Sequence, residues 1–304
     1  MRLRHAPQEE GEDGNHVLRN VLKKGKTMKK VWLFIALLAL SAIVSVSAPA
    51  QIISVPTDPV PVPTPPLEQR VDHFRCYLPL NNPVVNTNIQ LIDQFDAAMG
   101  TVENINQLTI FRFCNPAKKA VGGVVTPIVN IKHHLTIFLI NPQPIIMRTV
   151  TVRNQFGTQT LSVADARALA VPTGKAIFPN PAPPAPLDLD HYKCYIASGN
   201  PVNVVVTLSD QFFGETVGVT QPLAFCNPVK KIHDGITTGI LNPDGHLVCY
   251  VTTPSAFAGA TVNISNQFGL FTLELGRPDL LCVPSLKLAW SVVATPAPTQ
   301  PTTP

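Results

Sequence analysis

Histidine and cysteine are the residues of this 304-residue chain best suited to do chemistry, and their spacing is regular. His73, His191 and His246 each stand three positions before a cysteine, namely Cys76, Cys194 and Cys249. The other cysteines are Cys114, Cys226 and Cys282. A His-x-x-Cys step invites a zinc reading, with an imidazole nitrogen and a thiolate as ligands. Two arguments oppose it. Residues three apart on a strand point to opposite faces of the sheet, and a sulfur held in a disulfide is no thiolate ligand. In addition, His134 persists at the fourth equivalent position, where Ile137 replaces the cysteine. The four histidines are therefore expected to anchor strand starts, with no metal and no other cofactor. Adjacent His133 and His134 are the best remaining surface metal pair.

A second recurring cluster is an acid or amide followed by Gln-Phe: Asp93-Gln94-Phe95, Asn154-Gln155-Phe156, Asp210-Gln211-Phe212 and Asn266-Gln267-Phe268. The first residue suits a turn, and Phe95, Phe156, Phe212 and Phe268 are expected to fold back on the core. The alternative is a recognition role for four equivalent corners. A Pro-x-x-Lys step ends at Lys119, Lys175, Lys231 and Lys287, and reads as a solvated strand end. Lys118-Lys119 and Lys230-Lys231 are basic spots too slight for nucleic acid. G-x-S-x-G, H-E-x-x-H, phosphate-loop and EF-hand patterns are all missing from the sequence. The best acid grouping, Asp188-Leu189-Asp190, has no matching pair elsewhere. A catalytic site usually breaks repeat symmetry, and the main asymmetry here, the loss of two cysteines, adds no reactive group. The sequence reads as that of a non-enzyme.

These residues are positioned by a repeat. The four lysines differ by 56 each time, so four units of one period are present, the first carrying a few extra residues around Asp96 to Asn104. Runs such as Thr149 to Arg153 and Thr261 to Ser265 alternate apolar and polar around the Gln-Phe-Gly corners, a hairpin signature. No helical period is evident after residue 50. The expected fold is all-β, with two tandem sandwich-like or barrel-like domains, each of two half repeats. Domain 1 covers 69–176 and domain 2 covers 189–288. Pro-rich stretches at 51–68 and 177–188 read as extended spacers, and 289–304 as a Pro/Thr-rich tail.

Unit comparison also bears on cysteine pairing. The second unit lacks both cysteines, with Ile137 and Ala170 in their places. Loss of one bridge within a unit leaves that pattern, whereas bridges between units would strand two thiols. The expected pairs are Cys76–Cys114, Cys194–Cys226 and Cys249–Cys282, each worth about 3–4 kcal/mol in a chain-entropy model.

The formal charge of +4 sits at the amino terminus. Residues 1–50 hold eight Lys and Arg against four acids, which leaves 15 of each sign beyond them. Met28-Lys29-Lys30, the apolar run Val31 to Val46 and the small residues Ser47 to Ala50 read as a secretory signal at 28–50 cleaved before Gln51. Residues 1–27 read as a doubtful extension, and an uncleaved signal anchor is the competing reading. Export to a secreted, cell-surface or periplasmic location follows, with membrane contact only through the signal, and it permits disulfides.

The string D-H-[FY]-x-C-Y, the [DN]-Q-F-G corner, C-x-P-x-x-K, H-L-x-C-Y and L-C-V-P-S resembles a family of secreted bacterial β-repeat proteins of unknown function. The likeness covers Asp72–Lys175 and Asp190–Lys287, with departures at Ile137-Phe138 and Ala170. It implies a secreted repeat domain and supplies no substrate. The expected role is structural or adhesive at a cell surface, with a cell-surface or extracellular polymer as partner. The alternative is a carbohydrate- or metal-binding module.

Overall fold

Each unit supplies runs of β-branched and aromatic residues separated by turn formers, and each run becomes a strand. The first unit forms β1 (His73–Pro79), β2 (Val84–Ile92), a six-residue helix α1 (Gln94–Met99), β3 (Glu103–Val121) and β4 (Val124–Thr126). The second forms β5 (His134–Ile140), β6 (Arg148–Asn154) and β7 (Gly157–Ile177). The third forms β8 (Tyr192–Ser198), β9 (Val204–Ser209), β10 (Gly214–Pro228), β11 (Lys230–His233) and β12 (Ile236–Thr238). The fourth forms β13 (His246–Thr252), β14 (Ala260–Asn266) and β15 (Gly269–Val292). The structure, a computed structural model, describes residues 70–141 and 143–293. These lie within one compact unit, Pro61–Pro304. The expected signal at 28–50, the extension at 1–27, the spacer at 51–68 and the end of the tail fall outside the described residues.

Two strands from every unit make an inner ring. β1, β3, β5, β7, β8, β10, β13 and β15 pair antiparallel in that order, and β15 pairs back to β1. The order around the ring is chain order, so this is an up-and-down barrel, and closure leaves its strands without an open edge. Phe74, Cys76, Leu135, Tyr192, Leu247 and Cys282 belong to a small core inside the ring. Tyr77, Phe113, Tyr195, Phe225 and Tyr250, one residue out of phase with these, belong to a larger core outside it. β1 and β5 are therefore buried on both faces, which is why their sequences do not alternate.

The outer wall is built from four hairpins, β2–β3, β6–β7, β9–β10 and β14–β15. Each long strand starts in its hairpin and continues into the ring. At its far end it reaches the hairpin two units on: β3 pairs β9, β7 pairs β14, β11 pairs β2 and β15 pairs β6. Every unit is thus both a wall strand and a clasp on another unit.

The all-β expectation holds. The expected division into two tandem domains does not appear in the sheet, because β7 pairs β8 and β15 pairs β1, joining the two blocks on both sides. Residues 177–188 are not an extended spacer either. The Phe178 N–H donates to the Thr261 carbonyl at 3.1 Å and the Asn180 carbonyl accepts from Asn263 at 2.8 Å, so the segment lies against β14. The start of the tail is strand, with Trp290 opposite Val150. Proline content marked these segments as unable to form a core, but it carries no information on whether they lie against one. α1 is too short to show a helical period. Its available signal was the Asp93/Asp96 capping box.

The structure bridges Cys76–Cys114, Cys194–Cys226 and Cys249–Cys282. Each bridge joins directly opposed residues of neighbouring ring strands, and Ile137 faces Ala170 in the fourth such position. The bridges line the ring interior, where the sulfurs of Cys76 and Cys282 approach to 3.9 Å.

Candidate functional site

The repeated polar residues converge in the outer core, where each corner phenylalanine meets two other units. In every corner the Asx side chain accepts from the backbone N–H two residues on: Phe95, Phe156, Phe212 and Phe268 donate at 2.8–2.9 Å. This Asx turn aims the phenylalanine inward, and Gly157 and Gly269 follow two of these turns at φ 111° and 129°, where a side chain would be strained. Each phenylalanine then meets, edge to face, the aromatic residue after the first cysteine position two units on. Phe95 meets Tyr195, Phe156 meets Tyr250, Phe212 meets Tyr77 and Phe268 meets Phe138, with centroids 5.2–5.3 Å apart. The corner Asx binds the same partner's hydroxyl: Asp93–Tyr195 at 2.7 Å, Asn154–Tyr250 at 2.9 Å and Asp210–Tyr77 at 2.5 Å. In the fourth case the partner is Phe138, and the buried Asn266 amide nitrogen has no hydrogen-bond partner. The residue that replaced tyrosine in the second unit has left its mark in the fourth.

The Pro-x-x-Lys lysines are not solvated ends, which corrects the reading from sequence. Lys119 and Lys231 are buried. Lys119, Lys175, Lys231 and Lys287 lie over the phenylalanines of the next unit's corner, Phe156, Phe212, Phe268 and Phe95, at 4.7–5.9 Å. The signal for this was the coincidence of period between lysine and phenylalanine, but period alone does not say which unit meets which. Corner glutamines complete the belt: Gln267 accepts from His191 at 3.0 Å and from Lys231 at 2.5 Å, and Gln211 bonds Lys175.

His73, His134, His191 and His246 are buried against these lysines. Burial first, then the charge of Lys119 and Lys175, pushes His73 and His134 down to about 3. Burial and then Lys231 and Lys287 push His191 and His246 down to about 4. Burial likewise pushes Lys175, Lys231 and Lys287 down to about 8. His134 and His246 stack on Phe113 and Phe225 at 5.7 Å. Imidazoles packed beside ammonium groups repel a cation. Among the described residues no group of three or more His, Cys, Asp or Glu is arranged to hold a metal ion. His133 is not a surface ligand: its ring lies between Asp72 (3.0 Å) and Asp188 (3.2 Å), and is thereby raised despite burial.

Asymmetry concentrates at α1. Lys193 is 0% exposed and its ammonium is held by Asp96 at 2.7 and 2.9 Å and by Glu103 at 2.9 Å, with Asp93 4.0 Å away. Asp93 in turn accepts from Asn227 at 2.8 Å. Arg148 covers the Phe95 and Tyr195 rings at 4.8 and 5.5 Å. Beside them is a cavity of about 330 Å³ lined in part by Asp96, Glu103, Arg148, Gln143 and Thr101. Burial raises the Asp96 and Glu103 carboxyls. The counterpart across the repeat is the pair Arg75–Glu215, with Arg75 over Phe213 at 4.0 Å. Glu215 lies 112 positions after Glu103, two periods, whereas Asp96 belongs to the insertion and has no counterpart. The extra residues are visible in the sequence, but Lys193 as their partner is not, because the contact spans 97 positions.

Fold and site together define a closed, disulfide-bridged barrel of four interlocked repeats. Residues 134–284, from the start of β5 to within β15, match a family described as a repeat of unknown function (DUF7450). No curated protein and no solved structure matches the chain.

Two predictions follow from the belt. Phe138→Tyr gives the Asn266 amide the hydroxyl that the other corners have, and should stabilise by about 1 kcal/mol. That corresponds to a rise of about 2–4 °C in the thermal midpoint, and an unchanged or lower midpoint would contradict it. The imidazoles of His73, His134, His191 and His246 should stay neutral in NMR titrations from pH 8 to pH 5, while His133 titrates above 6.5. Because their folded-state values lie below 6.5, the stability tied to these four neutral rings is full above that pH and is lost as pH falls towards 4 and 3. Raised Asp96, Glu103 and Asp190 act in the opposite sense at the low end, so ring titration is the cleaner reading.

Proposed function

We propose that the chain is an exported, non-enzymatic β-barrel module acting in structure or adhesion at a cell surface. One observation carries this reading: the lysines reproduced in all four units, and the corner Asx side chains of three of them, are turned into contacts between units. The histidines, lysines and corner Asx residues build the barrel and present no repeated reactive surface. Three bridges in a chain with no free cysteine suit an oxidising, extracellular environment. Among the described residues no helix is long and apolar enough to cross a membrane.

A second reading, carbohydrate binding, is favoured by the α1 cavity, where Asp96 and Glu103 of the first unit and Gln143 and Arg148 of the second suit hydroxyl groups, and where Asp96 has no counterpart in the other units.

Fractionation of producing cells with amino-terminal sequencing tests the first reading. The mature protein should be found outside the cytoplasmic membrane and begin at Gln51, and a cytoplasmic, reduced chain would overturn it. A glycan array separates the second. Saturable binding lost in Thr101→Trp, with the thermal midpoint kept, supports a carbohydrate site, and absence of any binding removes it.

A further inference from the structure

The two ends of the barrel differ. One end is filled alike by every unit: the equivalent inward residues are Phe74, Leu135, Tyr192 and Leu247, all buried. At the other end the repeat loses its uniformity. The inward position there falls at 112, 168, 224 and 280, one period apart, and holds Arg112, Ala168, Ala224 and Leu280. The two alanines stand on β7 and β10, the strands that flank β8 in the ring order. In the layer below, Ile137 takes the place of a cysteine. The space so left is a cavity of about 280 Å³ that opens at the barrel mouth.

Its walls are hydrocarbon and sulfur: Ile137, Ala168, Ala224, Leu280 and the bridges of Cys194 and Cys249. The mouth is framed by Leu139, Ile196 and Leu223, which are 36%, 43% and 40% exposed. The two cations at the rim are already matched. Arg112 forms a two-pronged pair with Asp279 at 2.9 and 2.6 Å, and Arg167 pairs with Asp165 at 2.5 Å. A charged group brought to this rim would have to displace a carboxylate, whereas a neutral chain meets no unpaired charge. An eight-stranded barrel is wide enough for either packed side chains or one small ligand. Here the closed half holds side chains and the open half does not.

We infer that the mouth of the barrel is a binding site for a single hydrocarbon chain, inserted between the Ala168 and Ala224 strands with its polar end left in solvent. A cavity of this volume holds roughly nine carbon atoms, taking each as similar to the ~30 Å³ share of a water molecule. Water in so apolar a space finds few hydrogen-bond partners, and a chain removes both the cavity wall and the collar of Leu139, Ile196 and Leu223 from solvent. The site lies apart from the α1 cavity and does not depend on the structural or adhesive reading.

The test uses the chain purified with its three bridges intact. The neutral dye 1-aminonaphthalene, with ten carbons, should bind saturably at one site per chain and be displaced by both decanol and decanoate. Ala224→Leu and Ala168→Leu fill the cavity from different strands. Each should weaken dye binding at least tenfold while the thermal midpoint is kept or raised. If one variant fails to fold, the other decides. Absence of saturable binding, or binding that a folded filling variant leaves unchanged, overturns the inference. Displacement by decanoate with none by decanol also overturns it, since the site would then be reading a carboxylate.

Discussion

A 56-residue unit with two inner strands cannot cover both faces of those strands by itself. Everything else in this protein follows from how that burial is completed. The inner faces are closed off by neighbours in the ring, and the outer faces by hairpins whose corners reach the aromatic residue two units on. No unit is finished until the fourth has been added and β15 has met β1. The corner contact is where this dependence is most visible. One Asx side chain shapes the turn, places a phenylalanine edge-on to a partner's aromatic ring and, in three of four cases, binds that partner's hydroxyl.

Periodicity made several of these features legible. The spacing of the four lysines gave the unit length, the paired loss of two cysteines gave the bridges, and the Asx-Gln-Phe strings gave turns with inward phenylalanines. Each of these is a property within one unit. What the sequence did not reveal is relations between units. Lys119 looked solvated because a lysine after a proline usually is, and its Phe156 partner lies in another unit. Lys193 gave no signal because its partner Asp96 is 97 positions away. The split into two domains was inferred from the duplicated blocks and the Pro-rich stretches around them, and proline content fails to distinguish a free spacer from a segment held to β14.

The same logic sorts structural from functional residues. Positions alike in all four units build the barrel, so specificity belongs where the units differ. Two such places stand out: the α1 insertion, with Asp96 and Glu103 around a buried lysine, and the barrel mouth, where Ala168 and Ala224 replace larger groups. The first is polar and charge-compensated, the second apolar. Both sit on a scaffold fixed by three interior bridges, which hold neighbouring ring strands together whatever occupies the mouth.

Ring closure is the central claim, and cross-strand NMR contacts test it most directly. Residues of β1 should show backbone contacts to β15 as well as to β3, including Phe74 to Cys282 and Arg75 to Leu281, with slowly exchanging amides on both strands. Contacts from β1 to β3 alone, with β15 amides in rapid exchange along the face turned to β1, would mean that the repeats form an open sheet, and would contradict the account.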